Sequence, residues 1–110
     1  MVNFKEKERS MYASIRRYKT DSAAEVTRLV NEEFVPQINN LPGFLAYYVI
    51  DTGEAMLASI SVFESKDGAE ESNRMAASWV KGRLPGLLGP PEITVGEAVA
   101  HTTVGELVAR

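Results

Sequence analysis

The sequence predicts an α+β fold of order β-α-β-β-α-β, the ferredoxin-like arrangement: a four-stranded antiparallel sheet with two helices on one face. Three observations carry this expectation. The central stretch 44–63, FLAYYVIDTGEAMLASISVF, is two strand-forming runs joined by Asp51-Thr52-Gly53-Glu54, which reads as a hairpin. Helix-spaced segments stand on either side of it, and shorter alternating runs stand outside those.

Taken in order, residues 11–18 alternate, with Met11, Ala13 and Ile15 against Tyr12, Ser14 and Arg16, as a first strand would. Asp21-Ser22 opens the first helix. Ser22 and Glu25 have the spacing of a capping box, in which each side chain satisfies backbone N–H groups of the first turn. Ala23, Val26, Val30 and Phe34 follow at steps of three and four, a single stripe for burial. Arg28 and Glu32 are spaced to pair on the exposed side. Pro36 lacks an N–H and its ring crowds the preceding turn, so a kink or pause is expected there. The second helix begins at 65–67. Its acidic residues Asp67, Glu70 and Glu71 lie near the positive end of the helix dipole, and Lys81 and Arg83 lie near the negative end. Gly82 and Pro85-Gly86 stop it. The alternating run 93–99 supplies the last strand.

Both central strands are apolar on both faces. Phe44, Ala46, Tyr48 and Ile50 alternate with Leu45, Tyr47 and Val49, where a sheet with one wet face would show a polar residue at every second place. Each face therefore needs a cover. Helices provide one, and a second copy of the chain is expected on the other, making a homodimer.

Composition narrows the function classes. A length of 110 residues suits one domain, with residues 1–10 read as a solvated, charged arm and 11–110 as the folded unit. A net charge of -3 offers no basic face for nucleic acid. No apolar run approaches the ~20 residues of a membrane span. The absence of cysteine excludes disulfides, thiolate catalysis and Cys-ligated metal, and cytoplasmic residence is the default expectation. Metal-ligand spacing, a phosphate-binding loop and a dinucleotide fingerprint are all missing from the sequence. The single histidine, His101, falls at or beyond the last strand, with no carboxylate constellation near it, and reads as structural.

The second helix is the informative element. Centred on Ala76, its inner face carries Ala69, Ser72, Asn73, Trp79, Val80 and Arg83, which is small and polar for a core stripe. Small side chains either let helix and sheet approach closely or leave a cavity between them. In the second case Asn73 and Trp79 are convergent polar and aromatic groups of a ligand site, with Ser72 and Ala76 beside them. Tyr47 and Tyr48 must face opposite sides of the sheet, one toward such a pocket and one toward a subunit interface; Tyr48 is assigned to the pocket. Ser59 and Ser61 share a face, with Arg16 or Ser14 near them, as a polar patch within an apolar layer.

With these elements in place, the chain resembles the antibiotic biosynthesis monooxygenase-like domains of the dimeric α+β barrel superfamily. The resemblance spans 11–99 and rests on element order, on LPGFLAYYVI, on SISVFES and on AEESNRMAASWV. It implies a homodimer with sheets packed face to face. Some members oxidise phenolic polyketides with O2 and no cofactor, and others degrade haem; both use an Asn and a Trp near the helix–sheet cavity. Asn73 and Trp79 are the matching positions here. The haem degraders also place an axial His after the Trp, and 81–88 has none. The expected function is thus a cofactor-free monooxygenase of a small aromatic, phenol-like substrate, with Asn73 bonding the oxyanion, Trp79 walling the pocket, and Ser72, Ala76, Tyr48 and Ser59 lining it. The alternative is a non-catalytic dimeric module for a small ligand or partner, with haem degradation a more distant third.

Overall fold

The computed structural model describes residues 10–104. Four strands form one antiparallel sheet: β1 Tyr12–Lys19, β2 Phe44–Gly53, β3 Met56–Phe63 and β4 Glu92–Glu97. Their order across the sheet is β2-β3-β1-β4. The central pair β1 and β3 therefore comes from the two halves of the chain, and the β-α-β-β-α-β order is as the sequence implies. Of the arm 1–10, all but Ser10 lies outside the described residues.

The first helix, α1, is continuous but changes pitch. It runs as α-helix over Ala23–Leu29, as a π-helical turn over Val30–Phe34, and again as α-helix over Val35–Ile38. The Val35 N–H reaches back to the carbonyl of Val30, five residues earlier. This widened turn stands directly before Pro36 and is the local adjustment that lets a proline enter a helix without breaking it. The stripe Val26, Val30, Phe34 and Ile38 is buried. Ser22 stands at the helix start, yet its side chain caps nothing. The Thr20 hydroxyl instead accepts the Ser22 N–H at 2.9 Å and donates to the Leu87 carbonyl at 2.7 Å, tying the loop after β1 to the loop before β4.

The second helix, α2, spans Lys66–Arg83, and the Ser65 hydroxyl accepts the Gly68 N–H at 3.0 Å as its N-cap. At Gly68 a Cβ would stand 2.9 Å from the Phe63 ring, so glycine is what lets α2 start tight against the end of β3. Ala69, Ser72 and Ala76 keep that approach close along the next two turns. The core between the helices and the sheet is built from Val26, Val30, Phe34, Ile38, Leu57, Phe63, Trp79 and Leu84.

The β2–β3 hairpin turns at Glu54-Ala55, just after the Asp51–Glu54 segment that the sequence marks. Both turn residues have positive φ, 57° and 62°, as a two-residue turn matching the sheet twist demands. Neither is glycine or asparagine. The turn is held by the Ala55 carbonyl, which accepts the Thr20 N–H at 2.9 Å, and by the Asp51 carboxylate, which accepts the Gly53 N–H at 2.9 Å.

Side-chain parity divides the sheet. Facing the helices are Ser14, Arg16 and Tyr18 of β1, Leu57, Ser59, Ser61 and Phe63 of β3, and Tyr47 and Val49 of β2. Facing away are Ala13 and Ile15, Ala46, Tyr48 and Ile50, and Ala58, Ile60 and Val62. Tyr48 and Ile50 are 56% and 44% exposed on that open face.

Two stability outcomes are expected. Phe34→Ala removes a ring from the centre of the core and should lower unfolding free energy by about 3–5 kcal/mol in urea titration. Ala55→Gly relieves a left-handed backbone and should raise the unfolding free energy by about 1 kcal/mol in the same assay.

Candidate functional site

The inward faces of β1, β2 and β3 and the two helices enclose a cavity. Val26, Val30 and Phe34 come from α1, Ala76, Trp79 and Val80 from α2, Val49 and Leu57 from the sheet, and Leu88 from the loop before β4. These walls are apolar and aromatic. Phe34 stands between two other rings, 5.2 Å from Trp79 and 5.5 Å from Tyr47 between centroids, both tilted. One pole differs: Arg16, Tyr18, Tyr47 and Ser59 bring four polar groups to it. The cavity holds about 30 Å³ of space for water centres. A cleft of about 140 Å³, lined by Thr27, Val30, Asn31, Val35, Tyr47 and Val49, lies beside it and shares Val30, Tyr47 and Val49 as a common wall. The π-helical turn of α1 supplies residues to both spaces, and such turns recur at functional sites.

Arg16 dominates the polar pole. It is 1% exposed, and its guanidinium donates to Asn73 Oδ1 at 2.7 Å, to Ser61 Oγ at 3.1 Å and, more weakly, to Ser72 Oγ at 3.4 Å. All three acceptors are neutral. Among the described residues no carboxylate pairs with it, and its Nε–H has no protein acceptor. The Ser59 hydroxyl on the neighbouring strand is likewise buried without a partner. Burial raises the pKa of the Tyr18 phenol against the pull of the Arg16 charge, and burial pushes Tyr47 up to about 12 against the same pull. Both phenols stay neutral donors at physiological pH.

The sequence-derived site residues divide accordingly. Ala76, Ser59 and the Trp79 ring line the cavity. Asn73 and Ser72 do not; they stand one layer back, on Arg16. The Asn73 carbonyl oxygen already accepts from Arg16 and, at 2.5 Å, from Ser14, so it holds the guanidinium in place of a ligand. The Ser72 hydroxyl donates to the Ala69 carbonyl at 2.6 Å. Tyr48 lies on the open face of the sheet, and its neighbour Tyr47 is the tyrosine at the cavity, because Tyr47 pairs with the inward Ser61 and Tyr48 with the outward Ile60. His101 is exposed beyond β4 and lines neither space.

A second cluster closes the helix side. The Trp79 indole N–H donates to Glu33 Oε1 at 3.2 Å, and Arg83 makes two 2.7 Å bonds to the same carboxylate. Glu33, which by spacing reads as a solvated residue, therefore clips α1 to α2 across the top of the cavity and fixes the indole plane. The Arg83 hydrogen bonds hold its carboxyl down at about 2, with the indole N–H adding to them. Among the described residues no group of acidic or histidine side chains is arranged to hold a metal ion, and no helix is long and apolar enough to cross a membrane.

No family model matches the chain, and no curated protein matches it. Solved structures do. A Nitrosomonas europaea protein of unknown function, NE2512, superposes with a TM-score of 0.71 at 18% identity, over 87% of this chain and 96% of that one. The ActVA-Orf6 monooxygenase of Streptomyces coelicolor, solved with nanaomycin D, gives 0.66 at 17% identity, over 86% and 93%. Another Nitrosomonas europaea protein, assigned as an antibiotic biosynthesis monooxygenase, gives 0.67 at 12%, over 84% and 94%. The class is a ferredoxin-like α+β protein. Within that class the chain has the fold of the antibiotic biosynthesis monooxygenase-like domains, as the resemblance in its sequence implies.

The folded pKa of Glu33 lies below its ordinary value, so its contribution to stability is fully present above about pH 4.5 and is lost as pH falls toward 2. Glu33→Gln should lower the melting temperature at neutral pH and flatten its acid limb over that window, as measured by melting curves of both proteins from neutral to strongly acidic pH.

Proposed function

We propose that this protein is a cofactor-independent monooxygenase acting on a small aromatic, phenol-like substrate, and that it works as a homodimer. The observation that carries the reading is the cavity: aromatic and aliphatic walls between the helices and the sheet, with a cationic pole at one end. The monooxygenase activity assigned to structural neighbours supports it.

Without a cofactor, every electron that reduces O2 must come from the substrate. A phenol can supply them: a C–O bond forms on the ring, the O–O bond breaks, the ring leaves as a quinone, and the second oxygen leaves as water. A phenolate gives up electrons more readily than a phenol. Arg16 would favour the ionised form by Coulomb attraction in a dry site. Trp79 and Phe34 would stack on the ring and exclude water. Asn73 would act through Arg16 by fixing its position. An aromatic ring exceeds the inner cavity as it stands, but the cavity and cleft joined would reach the size that takes benzene, about 150 Å³. Substrate entry therefore moves the shared wall of Val30, Tyr47 and Val49.

A non-catalytic ligand-binding module is the second reading, favoured by the lack of an acid–base pair at the cavity. Cytoplasmic residence remains part of the proposal, resting on the cysteine-free composition. Oxygen uptake by the purified protein with a panel of dihydroxyaromatics separates the readings. Uptake is expected, reduced roughly tenfold to a hundredfold in Trp79→Ala and Asn73→Ala. Ligand-induced thermal stabilisation with no uptake across the panel would leave the binding module standing and sink the enzyme.

The homodimer is supported by the open face of the sheet, whose Ile15, Tyr48, Ile50 and Ile60 make an apolar surface larger in reach than isolated exposed residues. Light scattering during size exclusion should give twice the 12.1 kDa chain mass. Ile60→Lys places a charge at the centre of that face and should yield monomer or unfolded chain; a monodisperse monomer of the unsubstituted protein would refute the assembly.

A further inference from the structure

We propose that the cavity selects an anionic ligand, an aromatic ring bearing a negatively charged oxygen, and that the Arg16 side chain with the Ser59 hydroxyl is its recognition site. This rests on the reading that the cavity is the ligand site, but not on any turnover there.

The argument starts from the charge. Arg16 places a guanidinium charge in the interior, 1% exposed. Buried charges in proteins are ordinarily matched by an opposite charge. Arg16 meets only neutral groups, the oxygens of Asn73, Ser61 and Ser72 and the nearby phenols of Tyr18 and Tyr47, and no carboxylate among the described residues. The protein also leaves two donors beside the cavity without an acceptor, Arg16 Nε–H and Ser59 O–H. Both residues line the cavity wall, and Arg16 and Ser59 are direct cross-strand partners. Two unmatched donors and an unmatched positive charge at one pole are complementary to one anionic oxygen or a carboxylate pair. Tyr18 and Tyr47, kept neutral by burial, stand at the same pole with hydroxyl groups suited to the same acceptor. The rest of the wall, Phe34, Trp79, Leu57 and Val49, is apolar surface for a ring to pack on once the wall shared with the cleft has moved.

A buried charge with no charged partner is a costly way to join sheet and helix, so the hydrogen bonds of Arg16 to Asn73, Ser61 and Ser72 do not by themselves account for a guanidinium there.

The test compares ligands that differ in charge but not in shape. Benzoate is set against benzamide, and a nitrophenol ionised at neutral pH against the nitrotoluene with a methyl in place of its oxygen, each measured by calorimetry. Trp79 is the only tryptophan of the chain and lines the cavity, so a change in its fluorescence with benzoate or benzamide that is lost in the cavity-filling variant Ala76→Leu reports occupancy of the cavity. The native protein should bind at least one anion roughly tenfold to a hundredfold more tightly than its neutral counterpart. Preference for benzoate would identify the charged oxygen as a carboxylate, and preference for the nitrophenolate as a phenolate. In Arg16→Met the preference should vanish, with a lower melting temperature because Asn73, Ser61 and Ser72 lose their donor; Arg16→Lys, which keeps the charge, should retain part of the preference. Asn73→Asp supplies the missing carboxylate from inside the protein; it should also abolish the preference, with a raised melting temperature. Equal affinity for charged and neutral ligands, no binding by any of the four, or a preference that survives both Arg16→Met and Asn73→Asp would each overturn the proposal. A protein that shows the preference but consumes no oxygen keeps its anion site and loses only its oxygenase reading.

Discussion

The positive charge of Arg16, sealed between sheet and helix, is the constraint around which the rest of this structure is arranged. It sits on the central strand β1, under the middle of α2, where a folded protein ordinarily puts Leu or Val. Such a group needs oxygen atoms brought to it, and the neighbouring elements supply them from positions fixed by register. Ser61 lies on β3, with Ser14 its cross-strand partner on β1, and Ser72 and Asn73 come from one turn of α2. The helix can deliver Asn73 to within 2.7 Å of the guanidinium only because its contact face is otherwise Gly68, Ala69, Ser72 and Ala76. Larger side chains at those places would lift α2 off the sheet and strand the charge. The small, polar helix face and the buried arginine are therefore one feature.

A consequence is that the middle of the sheet carries polar groups on its covered side. Ser14, Arg16, Ser59 and Ser61 face the helices there, between Tyr18 and Leu57 at one end and Phe63 at the other, whereas the open side carries Ala13, Ile15, Ala46, Tyr48, Ile50, Ala58, Ile60 and Val62, with Arg17 toward one end. Hydrophobic burial on the helix side comes mainly from α1, from the ends of the strands and from Trp79 rather than from the strand centres. The apolar content of the strands is displaced to the face without a helix. That displacement leaves apolar surface open on the sheet and the interior free to hold a polar pole.

The order of elements was legible because it depends on period alone, and strand and helix periods survive any choice of which face is buried. Parity was legible too: Tyr47 and Tyr48 are on opposite sides, and Ser14 shares a side with Arg16. What could not be read is which side turns inward. In β1 the run Met11, Ala13, Ile15 is the more apolar set, so hydrophobicity argues for burying it, while the helices cover Ser14, Arg16 and Tyr18. The same ambiguity assigned Tyr48 to the cavity. The irregularity in pairing at Leu45, between Phe44 and Ala46, fixes Tyr47 opposite Ser61, and bulges of that kind carry no signal in a run where every residue is apolar. Glu33 was illegible for another reason. Its partners, Trp79 and Arg83, lie on the other helix, and no spacing along one helix announces a bond between two.

The Glu33 cluster bears on how a ligand could enter. Trp79 is held from outside the cavity through its indole nitrogen, and Arg83 and Glu33 lock α1 to α2 above it, so the helix-to-helix seam is the stiff side of the enclosure. The opposite seam, between α1 and the edge strand β2, has no such clip among the described residues: Val30, Tyr47 and Val49 meet there as side chains alone. It is also where α1 departs from α-helical geometry, with a π-helical turn whose backbone bonds are already rearranged. A wall built from three side chains opens by rotation of those side chains, at far less cost than parting two helices joined by a bidentate ion pair. For the proposed ligand, that difference in stiffness makes the cleft beside Tyr47 the route of least cost, with Trp79 and Phe34 as the back wall and Arg16 at the polar end.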